Sequence, residues 1–171
     1  MRIILLFLST ISFLFAAFDN LSTFEADFKQ ILINDQKSKI TYTGKLYADK
    51  NEKALWIYKT PVNKKIYYNQ KSVVIIEPDL EQAIISKLDK VPNVLNILQN
   101  AKKIKKNIYE ATCCKNRYKI YLKNNIISKI TYKDKMQNQV EIIFLNQKVN
   151  KKISPSIFAY KIPQGYDILK E

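Results

Sequence analysis

The segment FEADFKQIL, residues 24–32, alternates apolar and polar side chains along its length. Phe24, Ala26 and Phe28 fall on one side, and the charged residues between them fall on the other. Because successive side chains of a β-strand point to opposite faces of a sheet, this period of two predicts a strand with one buried face.

The same type of pattern recurs along the chain, at short spacings and with turn residues between the segments. The further predicted strands are ITYTGKLYA (40–48), ALWIY (54–58), KKIYY (64–68), SVVIIE (72–77), QAIIS (82–86), YKIYL (118–122), IISKITY (126–132) and QVEIIFLNQ (139–147). Asn124 and Asn125 predict a hairpin turn, because asparagine tolerates positive φ. The pattern indicates a mainly β, single-domain fold, a meandering antiparallel sheet or barrel, rather than βαβ units.

One segment, VPNVLNILQN (91–100), departs from this alternation. Pro92 occupies a favoured first helical position, and apolar side chains follow at helical spacing. They are Val94, Leu95, Ile97 and Leu98. The segment predicts a short amphipathic helix between two groups of strands. A second short helical or irregular stretch is expected at 154–160, and a short edge strand at the end of the chain.

A large sheet with one helix must still hide its apolar face. Closing the sheet toward a barrel achieves this. The barrel is then either packed solid or hollow with the helix as its lid, and alternation alone does not distinguish the two.

The composition argues against several function classes. The 171 residues contain 2 glycines, which disfavours glycine-rich phosphate loops, and no histidine, the commonest general base and metal ligand. The net charge is +14, and Arg2 and Arg117 are the only arginines among 29 cations. Scarce arginine argues against nucleic acid as a partner. The basic surface either serves anionic partners or reflects compositional bias.

The first residues, MRIILLFLSTISFLFA, have the pattern of a targeting sequence. Arg2 precedes an apolar run that is shorter than the roughly 20 residues of a membrane-spanning helix. Residues 1–16 are therefore predicted to be a signal peptide rather than a membrane anchor, followed by one domain at 17–171. The mature protein is expected in an extracytoplasmic space.

Cys113 and Cys114 are adjacent and are the only cysteines. Neighbours in a strand point to opposite faces, so the pair is not expected to share a metal ion. The interpretations are a structural role, a vicinal disulfide or an intermolecular bridge.

Five segments resemble, in order and spacing, the LolA family of outer-membrane lipoprotein carriers. The matching positions are Phe24, Ala26, Phe28 and Gln30; Gly44, Leu46, Trp56 and Pro61; Pro78, Leu80 and Gln82; Pro92 and Leu98; and Pro163, Gly165 and Asp167. Each motif is short, but together they extend over most of residues 24–169.

The resemblance implies an unclosed antiparallel β-barrel with a helical lid, and a hollow interior. It further implies a periplasmic carrier without enzymatic activity, cofactor or metal, expected to be a monomer. Its expected partners are lipidated proteins, an ATP-driven inner-membrane releasing complex and, where one exists, an outer-membrane receptor.

The resemblance also suggests which residues would bind the cargo. The expected acyl-chain cavity is formed by Phe24, Phe28, Tyr42, Leu46, Trp56 and Tyr58. The expected lid is formed by Val94, Leu95, Ile97 and Leu98. The family typically has an arginine that latches the lid to the barrel, and Lys50 stands at that place. Lysine lacks the planar fork of arginine, so a less specific latch is expected, with a solvated loop charge as the alternative. Only a first helix of one or two turns fits before Phe24.

Three rival functions follow from other features. A binder of anionic lipid or glycolipid headgroups would use the basic surface. An enzyme would use the carboxylate pairs Glu25 with Asp27 and Asp79 with Glu81, although the first pair lies on the predicted polar face. The lipid-anchored receptor of the same pathway would need a cysteine at the cleavage site, and residues 16–18 provide none.

Overall fold

The computed structural model describes residue 18 and residues 20–51, 53–87 and 93–171. The predicted signal peptide, residues 1–16, lies outside the described residues, as do Val91 and Pro92 of the predicted helical segment.

Twelve strands account for most of the described chain. They are β1 (Thr23–Ile33), β2 (Lys39–Asp49), β3 (Lys53–Thr60), β4 (Lys64–Asn69), β5 (Ser72–Glu77), β6 (Gln82–Lys87), β7 (Lys102–Lys105), β8 (Ile108–Cys113), β9 (Asn116–Lys123), β10 (Ile126–Lys133), β11 (Gln139–Val149) and β12 (Asp167–Lys170). One α-helix, α1 (Val94–Gln99), connects β6 to β7. Single 3-10 turns occur at Pro78–Leu80 and Pro155–Phe158.

The strands form one sheet in the order β12-β6-β5-β4-β3-β2-β1-β11-β10-β9-β8-β7. Strand β1 lies near the middle and pairs with β2 on one side and β11 on the other. The outermost strands, β7 and β12, leave the sheet unclosed. The prediction of a mainly β, single-domain, unclosed barrel with a short helix is therefore confirmed.

The concave face of the sheet carries the larger hydrophobic core. Phe24, Ala26 and Phe28 of β1 and Leu46 and Ala48 of β2 are almost completely buried there, as their alternation predicts. Strands β8 to β11 contribute the other half of the core through Tyr118, Ile120, Ile127, Ile130, Val140, Ile142 and Phe144, among others.

A second core on the convex face was not predicted. Residues 150–166 run across the outside of β3–β6, and Phe158 packs there against Leu55, Tyr67 and Val74. Strands β3–β6 are therefore buried on both faces, which explains the continuous apolar run of residues 73–76. The expectation of a single apolar face holds for β1 and β2 and is wrong for these four strands.

The chain end forms the predicted short edge strand, but its direction differs from the rest. Strand β12 runs parallel to β6, whereas all the other described pairings are antiparallel. The crossing of residues 150–166 over the convex face brings the chain to the start of β6, so β12 runs alongside it in the same direction.

Two strands were missed from the sequence, β7 and β8. All four residues of β7 are exposed, so this strand has no alternation of burial to detect. The predicted helix is confirmed over Val94–Gln99. Of the region of the expected first helix, residue 18 and residues 20–22 are described, and Leu21 N donates there to Phe18 O over 3.1 Å; the helix itself stays a prediction.

The hairpin turns use residues other than glycine. Asn124 and Asn125 have φ values of 53° and 60°, which confirms the predicted turn. Cys114 likewise lies in a turn at φ 53°, not in a strand. The expectation that the two cysteines diverge is therefore wrong. Their Sγ atoms lie 3.0 Å apart, a non-covalent distance, because a disulfide bond measures about 2.05 Å.

Gly44 allows two strands to pack closely around the ring of Phe28. A Cβ atom at this position would overlap both the carbonyl oxygen of Ile57 and that ring. The register between β2 and β3 also shifts next to Gly44, as expected where a strand bends.

We expect Gly44→Ala to lower the free energy of unfolding by about 3 kcal/mol, since backbone and a buried ring must both shift. Gly165→Ala is the matched control, because nothing lies within 4 Å of the added methyl group and only its φ of 89° opposes the change. A cost of about 1 kcal/mol is expected there. Urea unfolding measures both, and equal costs would contradict the packing role of Gly44.

Candidate functional site

The concave face brings together an aromatic cluster from β1, β2 and β3. The ring of Phe28 lies 5.0 Å from Trp56 and 5.1 Å from Tyr58, both edge-on. Tyr42 meets Tyr58 edge-on at 5.8 Å. Their placement follows from the sheet register, which sets Gly44 opposite both Phe28 and Tyr58 and so leaves room for the rings.

A small cavity lies beside this cluster, beneath the helix. It offers about 100 Å³ to water-sized molecules. Its walls are aromatic and aliphatic apart from one amide, and the lining residues are Gln30, Trp56, Tyr58, Tyr68, Val94, Ile97, Tyr118, Ile130, Tyr132, Ile142 and Phe144. This volume holds only a few water-sized molecules.

The residues expected to form the cavity fall into two groups. Trp56 and Tyr58 line it, together with Val94 and Ile97 of the expected lid. The others surround it within the concave core: Phe24, Phe28, Leu46, Leu95 and Leu98 are buried, and Tyr42 is half-buried.

The second half of the chain supplies wall residues that sequence reasoning missed. Tyr118, Ile130, Tyr132, Ile142 and Phe144 come from β9, β10 and β11. The same alternation that identified Phe24 and Phe28 is present in those strands. Their place in the wall depends on the pairing of β1 with β11, which local alternation does not indicate.

Helix α1 covers the concave face with four aliphatic side chains. Val94, Leu95, Ile97 and Leu98 are between 0% and 6% exposed. Asn93 caps the helix, because its Oδ1 accepts a hydrogen bond of 2.8 Å from the backbone N–H of Leu95. A helix of six residues is not stable alone in water, so its contacts with the sheet maintain it.

Two amide side chains attach α1 to the sheet. Asn93 is completely buried, and its Nδ2 donates to the carbonyl oxygen of Lys53 at the start of β3, over 3.3 Å. Gln99 Nε2 donates to the carbonyl oxygen of Leu21 over 2.9 Å, just before β1. Both ends of the helix are thus held at the same end of the sheet, called the lid end below.

Lys50, the expected latch, lies in the turn between β2 and β3 and is exposed. Its backbone N–H donates to the carbonyl oxygen of Ser22 over 2.9 Å. Asn93 and Gln99, both in the helical segment itself, donate side-chain hydrogen bonds from that segment to the sheet.

Several tyrosines of the concave face have strongly shifted pKa values. Burial raises the pKa of Tyr68 to about 12, and it raises the pKa of Tyr58 and Tyr132 as well. The hydroxyl of Tyr58 donates to Oε1 of Gln30 over 2.7 Å, which satisfies a polar group inside an apolar wall. These phenols stay neutral at physiological pH, so the wall carries no charge from them.

Of the carboxylates considered for catalysis, Asp79 and Glu81 are exposed at the 3-10 turn after β5, whereas Glu25 and Asp27 take part in cross-strand pairs on the convex side. Glu25 Oε1 lies 2.9 Å from Lys45 Nζ and 3.4 Å from Lys148 Nζ. The hydrogen bond from Lys45 lowers the pKa of Glu25 despite its partial burial. Asp27 accepts a hydrogen bond of 2.8 Å from Asn146. In the described part of the chain, no three potential ligands group together to hold a metal ion.

A wider hollow of about 660 Å³ lies over the outward side of β9–β11. Its lining is mixed in charge and polar. Lys129 lies there 3.0 Å from Glu141 and over the ring of Tyr121, so its charge is already engaged.

Comparison with known proteins gives a consistent result. Residues 19–113 match the family described as outer membrane lipoprotein carrier protein LolA. The outer-membrane lipoprotein carrier protein of Campylobacter jejuni is 40% identical over 166 residues, or 97% of each chain. That of Wolinella succinogenes is 33% identical over 172 residues, the full length of both.

Solved structures share the fold at low sequence identity. A LolA superfamily protein from Nitrosomonas europaea has a TM-score of 0.57 and 10% identity, over 85% of this chain and 94% of that chain. An uncharacterized conserved protein from Thermus thermophilus has a TM-score of 0.54 and 9% identity, over 91% of this chain and 94% of that chain.

The attachment of α1 gives a first prediction for this site. Asn93→Ala removes the helix cap and the bond to Lys53, so amide hydrogen exchange in residues 94–99 is expected to accelerate about tenfold or more. Asn93→Ser retains a capping oxygen but is too short to reach the carbonyl of Lys53. Its intermediate exchange rate would separate capping from attachment, and an unchanged rate in the alanine variant would contradict both.

The buried tyrosines of the concave face give a second prediction. An unfolded tyrosine titrates near pH 10, whereas the folded protein holds the proton of Tyr68 up to about 12. The unfolded chain thus releases protons first, and the free energy of unfolding is expected to fall as the pH rises from about 10 to 12. Urea unfolding at several pH values measures this. Tyr68→Phe should reduce the slope, and a stability independent of pH in this range would refute the assignment.

Proposed function

Because this chain belongs to the LolA family of outer-membrane lipoprotein carrier proteins, we propose that it carries lipoproteins across the periplasm with their acyl chains held against its concave face. The proposal rests on one observation above all. In the described chain, a continuous apolar face is covered by a single six-residue helix, whose four buried side chains are all aliphatic.

In the described conformation α1 lies on the concave face with its four aliphatic side chains buried. The cavity of about 100 Å³ is small for acyl chains, so α1 is expected to leave the concave face as they enter. The incoming methylenes then occupy the places of Val94, Leu95, Ile97 and Leu98. Loading exchanges one hydrocarbon surface for another, and the sheet itself keeps its hydrogen bonds.

The energies of this exchange are of similar size. Four buried aliphatic side chains at about 1.5–3 kcal/mol each hold the lid with roughly 6–12 kcal/mol. At about 0.8 kcal/mol per methylene, roughly 8–15 buried methylenes offset that cost. One long acyl chain therefore suffices to keep the lid open, whereas a short one does not.

The energy of burying acyl chains also limits how the cargo leaves the donor membrane and how the carrier delivers it. Some 40 acyl methylenes are worth on the order of 30 kcal/mol in a membrane, so escape from the donor membrane requires an energy source such as ATP hydrolysis. The carrier must bind its cargo well enough to prevent aggregation and weakly enough to deliver it. Hydrophobic contacts have no directional requirement, so one face accepts lipoproteins with different protein parts.

The partners follow from this role. The carrier receives its cargo from an ATP-driven complex of the inner membrane and delivers it to the outer membrane, through a receptor where one is present. It acts as a monomer, performs no bond chemistry and needs no cofactor. Residues 1–16 direct it to the periplasm as a cleaved signal peptide. The alternative function, headgroup binding as an end in itself, gains no support from the relatives.

Photo-crosslinking tests the proposed location of the cargo. A photoreactive amino acid in place of Trp56 or Leu98, on the concave side, is expected to give adducts with lipoproteins in the periplasm. The control replaces Tyr121, whose side chain lies on the outward side of β9. It should give none.

The Leu98 and Trp56 variants need to be folded for this comparison, which circular dichroism and hydrogen exchange of the sheet establish. Adducts from Tyr121 as strong as those from Trp56 would show surface association instead of burial. Absence of adducts at both concave positions in folded protein would overturn the proposal.

A further inference from the structure

The lid end of the sheet is ringed by lysines. The antiparallel register brings six connections to this end, and each carries an exposed lysine in it or at its edge. They are Lys50, Lys71, Lys87, Lys106, Lys123 and Lys151. The described carboxylates beside these connections are Asp49 and Glu171. Asp49 already accepts backbone hydrogen bonds from Asn51 and Lys53.

The opposite end of the sheet has a different balance of charge. Its connections and flanking strand residues carry six carboxylates interspersed with lysines. The carboxylates are Asp35, Glu77, Asp79, Glu81, Asp134 and Asp167. Between residues 17 and 171, the charged residues outside the described ranges are Asp19, Glu52, Asp89 and Lys90, which together add a net charge of −2, less than the six positive charges of the ring.

The lysines of the lid end are not neutralised within the described chain. Its ion pairs are Lys45 and Lys148 with Glu25, Arg117 with Glu110 and Lys129 with Glu141, and none includes a lysine of the ring. Their charges therefore face the surroundings. Helix α1 lies at the same end, held there through Asn93 and Gln99.

We propose that this lysine ring docks the lid end of the carrier onto the anionic phospholipid headgroups of a membrane. The headgroups are a docking surface here, not the cargo. The inference rests on the proposed carrier function, since a carrier of acyl chains must bring its lid to the place where those chains leave or enter a bilayer.

The distribution of charge favours a bilayer over an acidic protein segment. From β6 to β8 the ring spans nine strand intervals of about 4.8 Å, or roughly 40 Å along the curved sheet. Such a broad rim matches an extended anionic surface better than a single peptide. Lysine also suits mobile headgroups, because its ammonium is a point charge without the fixed fork of arginine. Each lysine near an anionic bilayer contributes about fivefold in affinity.

The test compares two variants of equal net charge. One replaces Lys71, Lys106, Lys123 and Lys151 at the lid end with glutamine. The control replaces Lys37, Lys59, Lys115 and Lys135, four exposed lysines at the opposite end. Full-length mature protein is sedimented with vesicles of phosphatidylcholine alone or with about 30% phosphatidylglycerol, at about 0.01 M and about 1 M salt.

The unmodified protein is expected to bind the anionic vesicles at least tenfold better than the neutral ones at low salt, and to lose this preference at high salt. The lid-end variant should lose at least tenfold in binding, and the control should retain it. Equal loss in both variants, or no binding of anionic vesicles by the unmodified protein, would overturn the proposal.

Crosslinking from Trp56 in the same variants keeps the two proposals distinguishable. Lipoprotein adducts without vesicle binding would refute the docking surface and leave the carrier function intact. Vesicle binding without adducts would refute the carrier function on which the docking inference rests.

Discussion

The concave side of the sheet is apolar over most of its area, and the chain supplies one short helix to cover it. Because the helix covers only part of this face, the remaining apolar surface has to be buried by the sheet itself. The sheet curves until its own side chains meet across the hollow, and α1 fills most of what remains. A longer helical layer would make the same face a permanent core. With only six residues, the cover contributes an amount of free energy that a lipid chain can match.

The amide side chains at this face are few, and their hydrogen bonds within the protein reduce the free-energy cost of burying them. Gln30 receives the hydroxyl of Tyr58, and Asn93 both caps α1 and reaches the carbonyl oxygen of Lys53. Both amides therefore have hydrogen-bond partners inside the protein, which lowers the cost of burying them. The two attachments of α1 described above are neutral hydrogen bonds, each of which contributes about 1 kcal/mol to stability.

Local pattern predicted the parts of the fold that local physics controls. The alternation of Phe24, Ala26 and Phe28, the helical spacing of Val94 to Leu98, and the tolerance of Asn124 and Asn125 for positive φ all gave the correct element. Features that depend on distant segments were missed. The second core under Phe158 requires residues 150–166 to cross strands that lie far away in sequence, and the attachment of α1 requires Leu21 and Lys53 to be its neighbours. Cys114 was misplaced because a turn, and not a strand, sets its direction.

The pairing of β1 with β11 has a consequence for how the protein is made. The first strand and one of the last lie side by side in the middle of the sheet, so their contact closes a loop of more than a hundred residues. Such non-local contacts form slowly. A chain entering its compartment from the amino terminus can assemble β1 to β6 early, yet one edge of β1 stays bare until residue 149 has emerged. Throughout that interval the unpaired edge and the apolar face of β1 remain exposed, and both favour aggregation until the second half of the sheet has formed.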